Sequence, residues 1–200
     1  MRKKSHISLA GQMMRSLETD GVLNYKITFC LGNILPDCKP SFVTTPHTYD
    51  ETFNKICEKM DELIRNFDPA RGITMRKTLC MGEITHYIAD YFTFPHNSHY
   101  TGNLKDHCVY EGDLKRELKS YITAGGADTL KDEFRIYGSV EELVEFIREI
   151  HDEYMTAERC IEDDIHYSII ACNTVTGSLL NMCCRLREEY LKNQEYVFVS

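Results

Sequence analysis

The chain has 200 residues, 42% hydrophobic and 27% charged, which suits one folded domain with a sizeable core and excludes extensive disorder. Its net charge of −8 argues against an extended nucleic-acid or anionic-membrane surface, since clustered Lys and Arg normally meet those partners. There is no run of about 18 apolar residues, which excludes a membrane span, and the basic MRKK start leads into polar residues instead of a secretion signal's apolar segment, so the expected location is the cytoplasm.

Helical periodicity runs through nearly the whole chain. Ser5 reads as an N-cap ahead of Ile7, Leu9, Ala10, Met13, Met14 and Leu17, until Asp20-Gly21 breaks the pattern. His6 opens that helix, where a lone histidine is ordinarily solvated. Asn24 to Asn33 forms a second helix, and Pro36-Asp37 follows as a turn in which Asp37, taken alone, is an ordinary Asx residue. His47 precedes a helix over Tyr49 to Asn66 with Phe53, Ile56, Met60 and Leu63 on its buried face. Glu51, four residues after His47, is explained by the helix dipole.

Met75 to Phe92 predicts a central helix, apolar nearly all round, in which Gly82 permits a neighbouring helix to come close. Pro95 stops it, and His96 lies on the returning chain, able to face the next helix, Leu104 to Tyr121, which Ala124-Gly125-Gly126 closes. Ser139 with Glu142 forms a capping box for a further helix that runs to Arg159 or beyond, with His151 on its surface. Glu162, Asp163, Asp164 and His166 make a solvated start to a last helix, Ser168 to Leu191. Sustained alternation is nearly absent, so the fold expected over residues 1–200 is a single all-α domain, a helical bundle.

The chemistry concentrates between Gly82 and Glu111, which hold four of the eight histidines. His86 and Asp90 are four apart, as are His107 and Glu111, so on a helix each pair shares a face and could grip one ion. About one such pair is expected by chance in this composition, so the pairs alone are weak evidence. An ionised Asp90 in so apolar a helix requires a compensating partner, and metal is a better one than His86 alone. Nine cysteines without C-x-x-C spacing read as reduced thiols, leaving imidazole and carboxylate as donors, which suit zinc and by ligand type also manganese or iron.

The ordered string His6, Asp37, His47, His86, Asp90, His96, His107 and Glu111, over residues 5 to 111, resembles the zinc-dependent phospholipase C family, whose fold is shared by single-strand-specific zinc nucleases. The resemblance implies two to three zinc ions. The equivalents of Asp37, His47, His86 and Asp90 hold one and those of His96, His107 and Glu111 another, while Asp90 bridges to a third beside His6. It also implies hydrolysis of a phosphodiester or phospholipid-like substrate, with Asp37 orienting or deprotonating the attacking water. The alternatives are a single-strand nuclease-like hydrolase and a catalytically weak, metal-stabilised binding module. One family ligand, the amino-terminal tryptophan, has no match in a chain without tryptophan. The third position is therefore expected to be the weakest, with Arg2, Lys3 and Lys4 bringing positive charge toward it.

Overall fold

The computed structural model of the chain describes residues 1–17, 25–38, 47–157 and 160–199, and only the backbone of 196–199. The break at Asp20-Gly21 lies outside these residues, whereas the helix expected to reach Arg159 or beyond stops at Thr156, where Ala157 turns to an extended backbone. Among the described residues all regular structure is helical: α1 Lys3–Ser16, α2 Lys26–Ile34, α3 Tyr49–Arg65, α4 Met75–Tyr91, α5 Leu104–Thr123, the single turn α6 Gly126–Thr129, α7 Val140–Thr156 and α8 Ile161–Val199. Short 3-10 turns at Pro36–Cys38 and Phe94–His96 place Asp37 and His96. This is the all-α bundle that the periodicity predicts.

The ends of the helices follow local chemistry. The Ser139–Glu142 capping box forms as expected, and a second joins Asn103 to Asp106 at the start of α5. Gly125 adopts a left-handed φ of +83°, which ends α5. Ser5, in contrast, is not a cap. The backbone N–H groups of Ser5 and His6 both donate to the Arg2 carbonyl, so α1 begins at Lys3 and carries His6 into the buried interior. The solvated first-turn environment ordinary for such a histidine is thereby ruled out.

The core is one apolar cluster drawn from every long helix, including Leu9, Met60, Ile88, Leu118, Ile147 and Val175. α4 runs through its middle, against α2 on one side and α8 on another. Gly32 of α2 and Gly82 of α4 meet backbone to backbone: a Cβ on Gly82 would lie 2.9 Å from the Gly32 Cα and collide with the Phe29 carbonyl oxygen. That is the close approach expected at Gly82, and it sets the distance between two helices that build the site.

α8 is longer than the sequence pattern suggests, starting at Ile161 and continuing through the Tyr-Val-Phe-Val segment. It also corrects two expectations. Its stretch Ile161–Glu195 is long and apolar enough to cross a membrane by length and composition, contrary to the exclusion drawn from the sequence, but 78% of the apolar window is buried within the bundle, as in a core helix. Nor is the acidic start wholly solvated. Asp164 is buried, accepting hydrogen bonds from the Tyr110 and Tyr154 hydroxyls and the Phe94 N–H, and burial pushes its carboxyl up to about 7. His151 is likewise buried instead of lying on the surface, stacked on Tyr49 at 3.6 Å with Nε2 2.8 Å from Asn97 Oδ1.

Candidate metal centre

Asp90, in the last turn of α4, is the hub of the site. It is buried, and three imidazoles and one amino group surround it. Oδ1 accepts from the Met1 amine at 2.6 Å and lies 3.4 Å from His6 Nε2, while Oδ2 is 3.4 Å from His86 Nε2 and 3.9 Å from His96 Nε2. Asp37 Oδ1 approaches His86 Nε2 at 3.7 Å and His47 Nδ1 at 3.9 Å. His107 Nε2 is 3.5 Å from Glu111 Oε1, which is 3.3 Å from the Met1 amine. The His96 and His107 rings meet edge to face at 5.3 Å. The structure thus joins all eight sequence-predicted residues through one continuous set of neighbours. His99 stays out of it, exposed and near Ser98.

The tautomers of two of these histidines follow from their partners. His86 Nδ1 lies 2.8 Å from the Asn33 carbonyl oxygen, an acceptor only, so Nδ1 carries the proton and Nε2 is bare. The Gly32–Gly82 contact makes this possible, since Asn33 follows one glycine and His86 lies one turn beyond the other. For His96, the Thr93 hydroxyl donates to the Asp90 carbonyl at 2.8 Å and so accepts from Nδ1 at 2.7 Å, which again leaves Nε2 bare. Both bare nitrogens face Asp90.

Electrostatics fit that assignment. Burial lowers His86 well below its ordinary pKa, lowers His96 to about 3 and lowers His47, so all three are neutral. Burial also opposes the charge on Asp90, but the Met1 ammonium that donates to it outweighs burial and holds its carboxyl well below the usual range. Burial would likewise discharge the Met1 amine, yet Asp90 and Glu111 raise its pKa. Asp37, half sheltered and near Asp90, is pushed up to about 6, first by desolvation. Burial raises Glu111 too, but the His107 hydrogen bond and the Met1 ammonium overcome it and lower the carboxyl to about 2.

Two lone-pair acceptors 3.4 Å apart with no proton between them repel, and among the described residues His86 Nε2 and both ring nitrogens of His6 are buried without a hydrogen-bond partner. The His6 and His86 rings stack at 4.1 Å. Such an arrangement is costly unless a cation lies among the acceptors, and the Met1 ammonium stands in for part of one. His6, His86 and Asp90 have donor atoms within 4.8 Å of one another, as do Asp37, His47 and His86, so the residues fit a metal. His96, His107 and Glu111 line a cavity of about 740 Å³ whose wall also includes Asp37, His47 and Met1.

Sequence reading missed the groups that orient the donors. Thr93, three residues before His96, was open to notice as a short-range side-chain partner. The Asn33 carbonyl carries no sequence signal, because a main-chain group becomes specific only once helices dock, whereas the Met1 amine lies within reach of the site by its five-residue separation from His6. A family model described as zinc dependent phospholipase C matches residues 5–161 of the chain. No curated protein and no solved structure matches it.

Proposed function

Because the chain belongs to the zinc-dependent phospholipase C family, we propose that it hydrolyses phosphodiesters of phospholipid-like type at the Asp90-centred site. The observation that carries this reading is the convergence of bare, neutral imidazole nitrogens on a buried ionised carboxylate beside a cavity large enough for a substrate head group. His6, His47, His86, His96, His107, Asp37, Asp90 and Glu111 are the residues that would hold two to three zinc ions. Bound zinc supplies Lewis acidity, polarising a phosphoryl oxygen and making water a better nucleophile near neutral pH.

The chain's own groups divide the remaining tasks. Asn33 and Thr93 hold His86 and His96 in the tautomer that offers Nε2. Asp37 reaches the cavity wall with a carboxylate that can orient an attacking water and take its proton. Leu104 and Pro95 supply apolar wall for the non-reacting part of a lipid.

The test combines elemental analysis with hydrolysis of chromogenic phosphodiesters, dispersed phospholipids and single-stranded DNA. At least two zinc ions per chain and turnover of the lipid or small diesters are expected. Fully metallated protein inactive on the whole panel would make the chain a metal-stabilised binding module, and preference for DNA would make it a nuclease.

A further inference from the structure

We propose that the face formed by α1, α2 and α5 beside the cavity docks on an anionic lipid bilayer. The inference rests on the phospholipid reading above. Three depressions follow one another across this face and share walls. Lys4 and Lys115 line both the cavity and a groove between α1 and α5, which continues past Lys119. Ile7 lines that groove and also an apolar groove between α1 and α2 that holds Ile27 and Leu31.

The charge here opposes that of the whole molecule. In a chain of net charge −8, Lys3, Lys4, Lys115 and Lys119 gather along one route out of the site. Arg2 is tied to Glu111 and the Cys108 carbonyl, and Arg116 to Asp113, but among the described residues no carboxylate pairs with these four lysines. The net charge read from the sequence argued against an anionic-membrane surface. The structure opposes that inference by bringing together lysines more than 100 residues apart.

The apolar side chains decide which anion fits. Ile27 is 78% exposed, Leu31 51% and Ile7 45%, and Leu104, 78% exposed, stands in the cavity wall. A nucleic acid would satisfy the lysines and leave these aliphatic groups in water. A bilayer takes them into its acyl boundary while its phosphates meet the lysines. The acidic remainder of the molecule is repelled from the same surface, which turns the cavity toward the lipid.

Co-sedimentation of the metal-free full chain with vesicles tests the docking face without any turnover. Vesicles of phosphatidylcholine containing phosphatidylglycerol should bind and phosphatidylcholine alone should not, with binding weakening as salt rises. Lys119→Glu should lower the apparent affinity roughly tenfold and Ile27→Asn several-fold, with zinc uptake and thermal midpoint unchanged. Equal binding to neutral vesicles, no binding to either, or capture of a single-stranded oligonucleotide in place of anionic vesicles would overturn the proposal. A chain that hydrolyses nothing yet binds anionic vesicles through these residues defeats the hydrolase reading and supports the docking face. An active chain indifferent to vesicle charge does the reverse.

Discussion

Asp90 divides the site into an inner and an outer half that are held in different ways. On the inner side, His6 and His86 are fully buried on α1 and α4, and the Gly32–Gly82 contact fixes the spacing that gives His86 its Asn33 partner. On the outer side, His107 and Glu111 keep 27% and 17% of their side chains exposed on one face of α5, and His96 sits in a 3-10 turn. Backbone packing holds the inner donors, whereas single side-chain hydrogen bonds hold the outer ones. An ion held at His86 should therefore be lost only together with the fold, while the outer half should respond to substitutions that leave the fold intact.

The largest effect is expected at the shared residue. Asp90→Asn removes the charge to which both halves turn and leaves the Met1 ammonium poorly paired in a buried place. Loss of zinc from both halves and a stability loss of about 3–5 kcal/mol are expected, read by elemental analysis and denaturant unfolding. Retention of an outer ion would show that the halves are independent.

Next comes the anchor of the outer turn. Asp164 accepts the Phe94 N–H and so ties the turn carrying His96 to α8. Its folded-state pKa of about 7 lies above the usual carboxyl value, so the stability it confers is full below about pH 4 and is lost as pH rises toward 7. Asp164→Asn cannot ionise and keeps the means to bond both tyrosines. In metal-free protein the variant should gain on the wild type by up to about 4 kcal/mol between pH 4 and 7, measured as the difference between two denaturation series. A constant difference across that range would mean that Asp164 is ionised throughout.

A smaller effect separates the halves directly. Thr93→Val keeps the shape of the side chain but removes the hydroxyl that fixes His96. Zinc affinity of the outer half should fall roughly 10–100-fold with the inner half unchanged, as titration of metal-free protein would resolve. Equal weakening of both halves would make the turn a structural element and not a positioning one.

What was legible in the sequence follows the same division by cause. Helices that bury one face and carry their own caps were readable, as α7 was from Ser139 and Glu142, and the contact at Gly82 was readable from the missing side chain. The eight residues that meet around Asp90 were readable as an ordered string. Groups whose role depends on docking were not. Among them are the Asn33 carbonyl and Asp164, whose acidic neighbours Glu162 and Asp163 gave it the look of a solvated helix start. His151 was misplaced for the same reason, since Glu149, Asp152 and Glu153 around it suggest a surface that its own ring does not share.

The smallest effect should be at His6, where the two halves compete with the amino group for one oxygen. Asp90 Oδ1 accepts the Met1 ammonium at 2.6 Å, closer than His6 Nε2 at 3.4 Å, so an ion bound there must displace that ammonium or wait for it to lose a proton that Asp90 and Glu111 hold more firmly than usual. Lys3 and Lys4 in the adjoining wall add like charge. A third ion should therefore bind more weakly than those of the inner and outer halves. His6→Ala should abolish that weak equivalent alone, because His6 makes no hydrogen bond to lose and supplies no donor to the group of Asp37, His47 and His86. Zinc titration of metal-free protein should show the tight equivalents unchanged in the variant and the weak one gone. Three equally tight ions in the wild type would mean that the amine yields its place at little cost, and a weak equivalent that survives in His6→Ala would place the third ion elsewhere.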